Sequence, residues 1–547
     1  MSSYLLGHGP RAEATPQALA IPGSAQIPNN AGGYAWPVDD WERLRRFLVL
    51  GTEGGTYYVG ESKLTRENVH AVERCIAADG VRVVRQIVEI ARDGRAPKHD
   101  PALFALALTA STGDEATRKA ALAALPAVAR TGTHLLHFVA HAGEFRGWGR
   151  ALRRAVAAWF TEREPRALAY QLLKYRQRDG WAMRDLLRLA HPTPPTDLHR
   201  ALFYWATRGW PGVGDEPHPE EALRQLWAAE RLAGVSDERE AADLVRTYRL
   251  PREAVPGGLR GSASLWAALA EEMPLTALIR NLATLTRVGV LYPGSPETQA
   301  VVSRLRDRNA LRAARVHPMT LLTALKTYAS GAGVRSSARW EPVGEVVAAL
   351  DRAFYDAFAS APATGKRILV GVDVSGSMSA AVNGTPGMSA REAAATFALV
   401  LMATEPGATV VGFDAQIHQL PVMAGARLDH VVDVLAQTGG GGTDCALPVR
   451  YAVERGLEVD AIVIVTDSET WYGPRHASQA LLEYRARVNP AARLVVLQTA
   501  ANTVTVGDTG DAGTLACVGF DAAVPRVVAD FLGAERAGDP AMAAADA

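Results

Sequence analysis

The sequence contains little cysteine and no long apolar run. Its 547 residues include only Cys75, Cys445 and Cys517, which are widely separated and form no C-x-x-C pair. This excludes a disulfide scaffold and a thiolate metal site, and we interpret the three as buried thiols. No run of about 18 apolar residues could span a bilayer. The N-terminus also lacks a basic segment followed by an apolar core. We therefore expect a cytoplasmic protein that does not associate with membranes.

Several catalytic signatures are also missing from the sequence. There is no G-x-x-x-x-G-K-[ST], H-E-x-x-H or G-x-S-x-G pattern. These absences argue against a P-loop ATPase, a zinc protease and a serine hydrolase. The helical part carries no cluster of carboxylates typical of a nuclease. The sequence therefore predicts a protein that is not an enzyme.

The formal net charge is zero, but this is a cancellation between two halves. From position 361 onwards there are 12 Lys and Arg against 20 Asp and Glu, with Lys366 the only lysine, whereas 46 basic residues oppose 38 acidic ones upstream. The first part is thus about +8 and the second about −8. Such an asymmetry predicts a polyanionic partner for the first part.

The chain length predicts more than one domain, because single cores rarely grow beyond about 300 residues. Residues 1–39 are rich in Pro, Gly, Ala and Asn, and we interpret them as an arm laid over the first domain. Residues 40–360 show helical periodicity with frequent Gly and Pro stops. Short paired helices over this length favour a HEAT-like solenoid with repeats of about 40 residues. An irregular helical bundle is the alternative, because the sequence has no fixed repeat signature.

After residue 361 the pattern changes to alternating strands and helices. Valine-rich runs predict strands buried on both faces of a parallel sheet, at 367–373, 408–413, 460–466 and 493–499. Helical segments lie between and after them, at 389–404, 427–436, 444–456 and 476–487. Residues 361–535 are therefore predicted to form a doubly wound α/β domain with its ligand site at the carboxyl ends of the strands. Residues 536–547 are expected to be a disordered tail.

Three loops at that predicted edge carry oxygen ligands. The first strand ends in Asp373, followed by Ser375 and Ser377; a glycine-rich loop carries Thr443, and a later strand is followed by Asp467. Hydroxyls combined with two carboxylates suit Mg²⁺ better than a soft or nitrogen-seeking ion. The alternative is that these residues only form turns and cap helices.

The motifs DVSGSM (373–378), GGGGTD (439–444) and VTDSE (465–469) resemble the metal-ion-dependent adhesion site, or MIDAS, of a von Willebrand factor A domain. The resemblance implies that Ser375, Ser377 and Thr443 bind the ion directly. It also implies that Asp373 and Asp467 bind it directly or through water. Ser468 stands where a glycine often follows the aspartate.

A trio of histidines, His134, His137 and His141, is spaced to share one helix face. A metal could bind there, but only Glu144 could join as a further ligand. Core histidines or histidines facing RNA are the alternatives.

Basic residues are concentrated between positions 146 and 191. The pairs Arg150 and Arg154, Lys174 and Arg178, and Arg184 and Arg188 each have the spacing of one helix face. Successive helices of this kind would present a stripe to a phosphate backbone. The neighbouring aromatic residues could stack on bases or belong to the core: Trp148, Trp159, Tyr170, Tyr175 and Trp181. A merely solvated charged face is the alternative for the arginines.

The segments GGYAW (32–36), FRGWGRALRRAVAAWF (145–160) and LLKYRQRDGW (172–181) resemble the TROVE module of the Ro 60-kDa autoantigen family. Together with the A domain, the resemblance covers about residues 26–535. It implies a ring of HEAT-like repeats closed by the A domain. It also implies two RNA-binding modes, with structured Y RNA on the basic outer surface and single-stranded 3′ ends in the cavity. The family's Y RNA motif falls on Lys174, Arg178 and His191.

The sequence thus predicts a monomeric RNA-binding protein that receives Y-like RNA and the ends of misfolded or precursor RNAs. It is expected to present them to an exoribonuclease tethered through Y RNA. A Mg²⁺-dependent protein-binding adaptor acting through the A domain is the main alternative. A metal-dependent nuclease that uses Asp373 and Asp467 is the weakest of the three hypotheses, because the sequence indicates no general base at this site.

Overall fold

The computed structural model describes residues 14–51, 61–96, 98–210, 214, 216–314, 316, 318–333, 337–357, 363–382, 385–500, 502–518 and 524–533. The chain forms two compact units, and each is described separately. One comprises residues up to 69 together with those from 358 onwards, and the other comprises residues 70–357.

The first unit begins with the N-terminal arm. Its strands β1 (Ile27–Pro28) and β2 (Tyr34–Pro37) pair antiparallel, and helix α1 (Asp40–Leu50) follows. The helix starts where the Asp39 carboxylate accepts a hydrogen bond from the Glu42 backbone N–H. Helix α2 (Glu61–Asp93) contains a non-helical residue, Asp79, and crosses the boundary between the units.

The second unit is helical, as the periodicity predicts. After α2 its helices are α3 (Asp100–Thr112), α4 (Glu115–Ala123), α5 (Leu125–Val128), α6 (Gly132–Phe145), α7 (Arg150–Thr161), α8 (Pro165–Lys174), α9 (Met183–Ala190), α10 (Asp197–Arg208), α11 (Glu221–Leu232), α12 (Glu238–Tyr248), α13 (Ala263–Glu272), α14 (Leu275–Arg287), α15 (Pro296–Arg306), α16 (Arg308–Ala313), α17 (Pro318–Ala329) and α18 (Gly344–Asp356). A small hairpin of β3 (Gln177–Arg178) and β4 (Trp181–Ala182) interrupts the helices between α8 and α9.

Helices of this unit pack in pairs. The most extensive contacts join α3 with α6, α12 with α13 and α17 with α18. Leu103 and Leu106 of α3 and Leu135 and Leu136 of α6 are fully buried. The prediction of an all-α first domain is confirmed.

The A domain contains a six-stranded sheet. The strands and helices of the whole domain are β5 (Ile368–Asp373), β6 (Ala381–Val382), β7 (Thr385–Ser389), α19 (Ala390–Thr404), β8 (Ala408–Phe413), β9 (Ile417–Gln419), α20 (Leu428–Gln437), α21 (Leu447–Glu454), β10 (Ala461–Thr466), α22 (Ala477–Arg487), β11 (Arg493–Gln498), β12 (Val504–Thr505), β13 (Thr514–Val518) and α23 (Val524–Gly533). The sheet order is β13-β11-β10-β5-β8-β9, with only β9 antiparallel to its neighbour.

This topology confirms the predicted doubly wound fold. All four predicted strands and all four predicted helices are present. Strands β5 and β10 are buried at every residue, which explains their apolar sequences. The chain leaves β5 towards β8 on one side and later returns to β10 on the other. The switch point of the sheet therefore lies between β5 and β10.

The described part of the arm belongs to the same compact unit as the A domain, not to the helical unit that the sequence suggested. This part packs on the A domain: β2 pairs with β12, and the Val38 N–H donates to the Thr503 carbonyl at 3.0 Å. Helix α1 is held there by Arg46, whose buried guanidinium donates to the carbonyls of Asn502 and Val504 at 2.9 and 3.1 Å and also to Gln498 Oε1. Local patterns could not reveal this, because these contacts join residues more than 450 positions apart.

No helix in the described ranges is long and apolar enough to cross a membrane. The predicted tail at 536–547 lies outside the described residues.

Candidate functional site

The switch point of the A-domain sheet brings two predicted carboxylates together. Asp373 is the last residue of β5, and Asp467 follows β10, which pairs with β5 in parallel register. Both side chains are buried. The sheet edge therefore concentrates two acids where an α/β fold places its ligands.

Hydrogen bonds fix the Asp373 carboxylate from two sides. Its Oδ1 accepts from the Ser375 backbone N–H at 2.9 Å, and its Oδ2 accepts from Thr466 Oγ1 at 2.6 Å. The Ser375 and Ser377 hydroxyl oxygens are 3.2 Å apart. The structure thus brings Asp373 and both predicted serines into one cluster.

The glycine-rich loop with Thr443 contacts the other two loops. Gly440 N–H donates to the Val374 carbonyl at 3.1 Å, beside Asp373. The N–H groups of Trp471 and Tyr472, which follow Asp467, donate to the Thr443 carbonyl at 3.2 and 3.1 Å. Thr443 is buried like the other four predicted residues. All five therefore lie on three mutually bonded loops.

The electrostatics of this cluster favour a cation. Burial and the charge of Asp467 raise the pKa of Asp373 to about 7. Burial also raises the pKa of Asp467, although hydrogen bonding to Ser377 opposes this. Among the described residues, neither carboxylate has a Lys or Arg partner. Two carboxylates and three hydroxyls without a compensating cation are a donor set that suits Mg²⁺.

Sequence reasoning missed further residues at this edge. Asp414 follows β8, is buried, and accepts hydrogen bonds from the Gly441 N–H at 3.0 Å and from His418 Nε2 at 2.9 Å. Asp414 follows the apolar run 408–413, just as Asp373 ends its own apolar run, so the sequence pattern could have indicated Asp414 as well. Glu469 is also buried, and burial raises its pKa. Its partners are Asn30 of the arm and Asn502, both distant in sequence, and no local pattern indicates them.

The second candidate site is the basic surface of the helical unit, defined here as Arg150, Arg154, Lys174, Arg178, Arg184, Arg188 and His191. Helix α7 supplies the first two, α9 supplies Arg184 and Arg188, and α7 packs against α9. Lys174 is half-buried, and the other six are exposed. His191 caps α9 in a left-handed conformation, with φ 46° and ψ 55°.

One part of the predicted pattern is wrong: Lys174 and Arg178 do not share a helix face. Helix α8 ends at Lys174, and Arg178 lies on β3 of the hairpin. The turn uses Asp179 and Gly180, with φ values of 50° and 77°. An Asp-Gly dipeptide is a strong signal for such a two-residue turn, so the sequence does indicate this turn.

Lys174 also lines a groove of about 1770 Å³ within the helical unit. Its ammonium group lies 5.2 and 5.5 Å from the ring centres of Tyr170 and Tyr175, which line the same groove. Arg224 and Arg280 line it as well. The groove therefore combines aromatic rings with positive charge.

Of the aromatic residues singled out, Trp159 belongs to the core. It is fully buried, and its Nε1 donates to the Ala129 carbonyl. Trp148, Tyr170, Tyr175 and Trp181 are half-buried.

The histidine trio forms no metal cluster. His134 stacks on His99 with ring centres 4.5 Å apart, His137 pairs with Asp179, and His141 packs against Phe104. Within the described ranges no three His, Cys, Asp or Glu side chains gather as metal ligands.

Comparison with known proteins places most of the chain in domains of one family. The TROVE domain model matches residues 27–208 and 216–329, and the Ro60 vWA domain model matches residues 367–532. The RNA-binding protein RO60 of Deinococcus radiodurans is 41% identical over 509 residues, covering 92% of this chain and 95% of that protein. The RNA-binding protein RO60 of Caenorhabditis elegans is 34% identical, covering 93% of this chain and 90% of that protein.

A solved structure gives the same result. The crystal structure of the Deinococcus radiodurans RO (RSR) protein matches with a TM-score of 0.70 and 40% identity, over 90% of this chain and 99% of that one. Two family models in the expected order and relatives matched over nearly their whole length agree with the architecture described above. The chain therefore belongs to the Ro60 family.

Proposed function

We propose that this protein binds structured small noncoding RNA of the Y type through the basic surface. The observation that carries the proposal is the exposure of five arginines and a histidine on neighbouring elements of one unit. Arg178 and Arg184 pair with the adjacent Asp179 and Asp185, at 3.7 and 3.8 Å, and with no other acid among the described residues. Exposed ion pairs of this kind contribute little stabilisation, so the charges of Arg178 and Arg184 are available to bind phosphate.

Phosphate binding by this surface would be mainly electrostatic. Arg150 and Arg154 have no acidic partner in the described part of the chain. Each phosphate neutralised by a cation releases counterions, and this makes affinity depend strongly on salt. Four arginines on α7 and α9 and one on the β3–β4 hairpin can follow a backbone without reading its sequence.

We further propose that single-stranded 3′ ends of misfolded or precursor RNA bind the helical unit as well, in the cavity that the family resemblance implies. The groove beside Lys174 supports this, because a single strand can stack its bases on tyrosine rings while arginines contact its phosphates. Tyr170, Tyr175, Arg224 and Arg280 are the residues suited to these contacts.

The A-domain cluster is proposed to bind one Mg²⁺ ion. Ser375, Ser377 and Thr443 would bind it through their hydroxyls, and Asp373 and Asp467 directly or through water. When bound, the ion would neutralise two buried carboxylates and offer a coordination position to an outside ligand. We propose no catalytic role for it.

In the cell, we propose a cytoplasmic, monomeric protein that presents bound RNA to an exoribonuclease tethered through Y RNA. A Mg²⁺-dependent protein-binding adaptor is a second candidate, favoured by one observation. Trp471 and Tyr472 are 40% and 45% exposed, and both donate backbone hydrogen bonds to Thr443. Two exposed aromatic rings beside a metal site are typical of a protein-binding surface.

The test of RNA binding replaces two members of the basic surface. Lys174→Ala with Arg178→Ala is expected to weaken binding of a structured Y-like RNA. It is also expected to reduce the slope of log affinity against log salt by about 0.7 to 0.9 for each phosphate interaction that the variant removes. The control replaces Arg239 and Arg306, two exposed arginines outside the basic surface. Unchanged affinity and slope in the first variant would remove Lys174 and Arg178 from the RNA site.

A further inference from the structure

The N-terminal arm lies against the same loops that carry the proposed metal ligands. Gln17 N–H donates to the Gly473 carbonyl at 3.0 Å, and the Gln17 carbonyl accepts from the Tyr34 N–H at 2.9 Å. Further along, Gly33 touches the chain at Thr470 so closely that an added Cβ would lie 2.1 Å from the Thr470 carbonyl oxygen. The arm is therefore packed on these loops so closely at Gly33 that a side chain would not fit there.

Gln17 connects the arm to the loop of Thr443. Its side chain is fully buried; its amide donates to Asp444 Oδ1, and its carbonyl oxygen accepts from Thr470 Oγ1. The same Thr470 hydroxyl is 3.1 Å from the Thr443 carbonyl. One buried amide thus holds Asp444, next to Thr443, and Thr470, whose hydroxyl reaches the Thr443 backbone.

Asn30 connects the arm to the loop of Asp467. Its backbone N–H and its side-chain amide donate to the two oxygens of Glu469, at 2.9 and 3.0 Å. The Glu469 N–H in turn donates to Asp467 Oδ1 at 3.1 Å. Asn502 closes the cluster, donating to the Asp467 carbonyl at 2.6 Å and to Glu469 Oε1 at 3.2 Å.

We propose that Gln17 and Asn30 are positioning residues for the A-domain cation, an inference that rests on the proposed Mg²⁺ site. They do not touch the predicted ligands themselves. They hold the residues next to Thr443 and Asp467, and so fix two of the three ligand loops before the ion binds. Groups that hydrogen-bond to metal ligands typically contribute 10- to 100-fold in affinity, and Gln17 and Asn30 hold two such groups, Thr470 and Glu469, in place. The metal site of this protein therefore includes a segment more than 400 positions away in the chain.

The experiment is a calorimetric titration of full-length protein with MgCl₂. The double variant Gln17→Ala with Asn30→Ala is expected to raise the Mg²⁺ Kd at least tenfold relative to the unaltered protein. Leu19→Ala is the matched control, because Leu19 belongs to the same arm and its side chain is 59% exposed. The control is expected to keep the original Kd.

Thermal unfolding without metal separates positioning from simple support. A purely structural contact would lower the unfolding temperature of the metal-free variant and leave the Kd unchanged, and that result would overturn the proposal. If the double variant fails to fold, each single variant is titrated instead, and an unchanged Kd in both would likewise refute it. Absence of Mg²⁺ binding by the unaltered protein would instead refute the proposed metal site, and this inference with it.

Discussion

The hydroxyl of Thr466 donates a 2.6 Å hydrogen bond to Asp373, and this bond joins the ends of two neighbouring strands. Because Ser375 N–H holds the other oxygen of the same carboxylate, Asp373 is oriented by the fold itself. A site oriented in this way needs little rearrangement to bind an ion, which reduces the entropic cost of binding.

We predict that Asp373→Asn abolishes measurable Mg²⁺ binding, because the variant removes half of the carboxylate charge in the cluster. Calorimetry with MgCl₂ measures this, and Asp433→Asn, an exposed change on α20, is the control. The metal-free variant should be at least as stable as the unaltered protein at pH 8, since an uncompensated buried charge is gone. Retained Mg²⁺ affinity would exclude Asp373 as a ligand.

We predict that the protein binds a hairpin with a single-stranded 3′ overhang more tightly than the same hairpin with a blunt end. The overhang can reach the tyrosines and arginines of the groove, whereas a blunt duplex offers only phosphates to the basic surface. A titration with both hairpins measures the difference.

The same samples, incubated with Mg²⁺ and run on a gel, should show no cleavage. Equal affinity for the two hairpins would argue against a separate single-strand site. Mg²⁺-dependent cleavage that is lost in Asp467→Ala would favour the nuclease alternative instead.

We predict that acid destabilises the helical unit through His99 and His134. Burial lowers the pKa of His99 to about 4 and that of His134 to about 3. An unfolded histidine binds a proton near pH 6.5, so the unfolded state holds more protons between pH 6.5 and 4. The contribution of these two histidines to stability should therefore fall as the pH decreases through this window.

The variant His134→Phe tests this prediction, because it removes one of the two protonation sites while keeping a ring to stack on His99. Urea unfolding at several pH values should show a shallower acid dependence. His70→Phe, at an exposed position of α2, should leave the dependence unchanged. An identical slope in His134→Phe would mean that His134 titrates normally in the folded protein.

We predict that Arg46→Met destabilises the unit formed by the arm and the A domain. The change removes the Arg46 donors to Gln498 Oε1 and to the Asn502 and Val504 carbonyls in the interior, and leaving a buried acceptor unpaired costs about 1 to 3 kcal/mol. Differential scanning fluorimetry should show a lower unfolding temperature. Arg45→Met, at the exposed neighbouring position, should have little effect.

The A domain was more predictable from the sequence than the basic surface. Its central strands are short apolar runs, and the loops of Asp373 and Asp467 each follow such a run, so the position of these two residues could be deduced from the alternation alone. Edge strand β9 was missed because its three residues are polar or only half-buried. The relation of Lys174 to Arg178 was misjudged because spacing by four indicates a shared face only while the helix continues.

The position of the arm could not be deduced at all. Its sequence lacks periodicity, and its partners Asp444, Glu469 and Thr470 are polar residues in loops of a distant part of the chain. Only the three-dimensional structure shows that Gln17 hydrogen-bonds to Asp444 and Thr470, and that Asn30 hydrogen-bonds to Glu469.

The same long separation has a consequence for synthesis of the protein. Gln17 and Thr470 are 453 positions apart, and the entire helical unit is made between them. At about 5 to 20 residues per second, the ribosome needs about 20 to 90 seconds to reach Thr470 after Gln17. During that time the helical unit, which is complete in sequence by residue 357, can fold while the arm has no partner. The arm is thus expected to be among the last segments to reach its native contacts, and the A domain is expected to pack against it only late in synthesis.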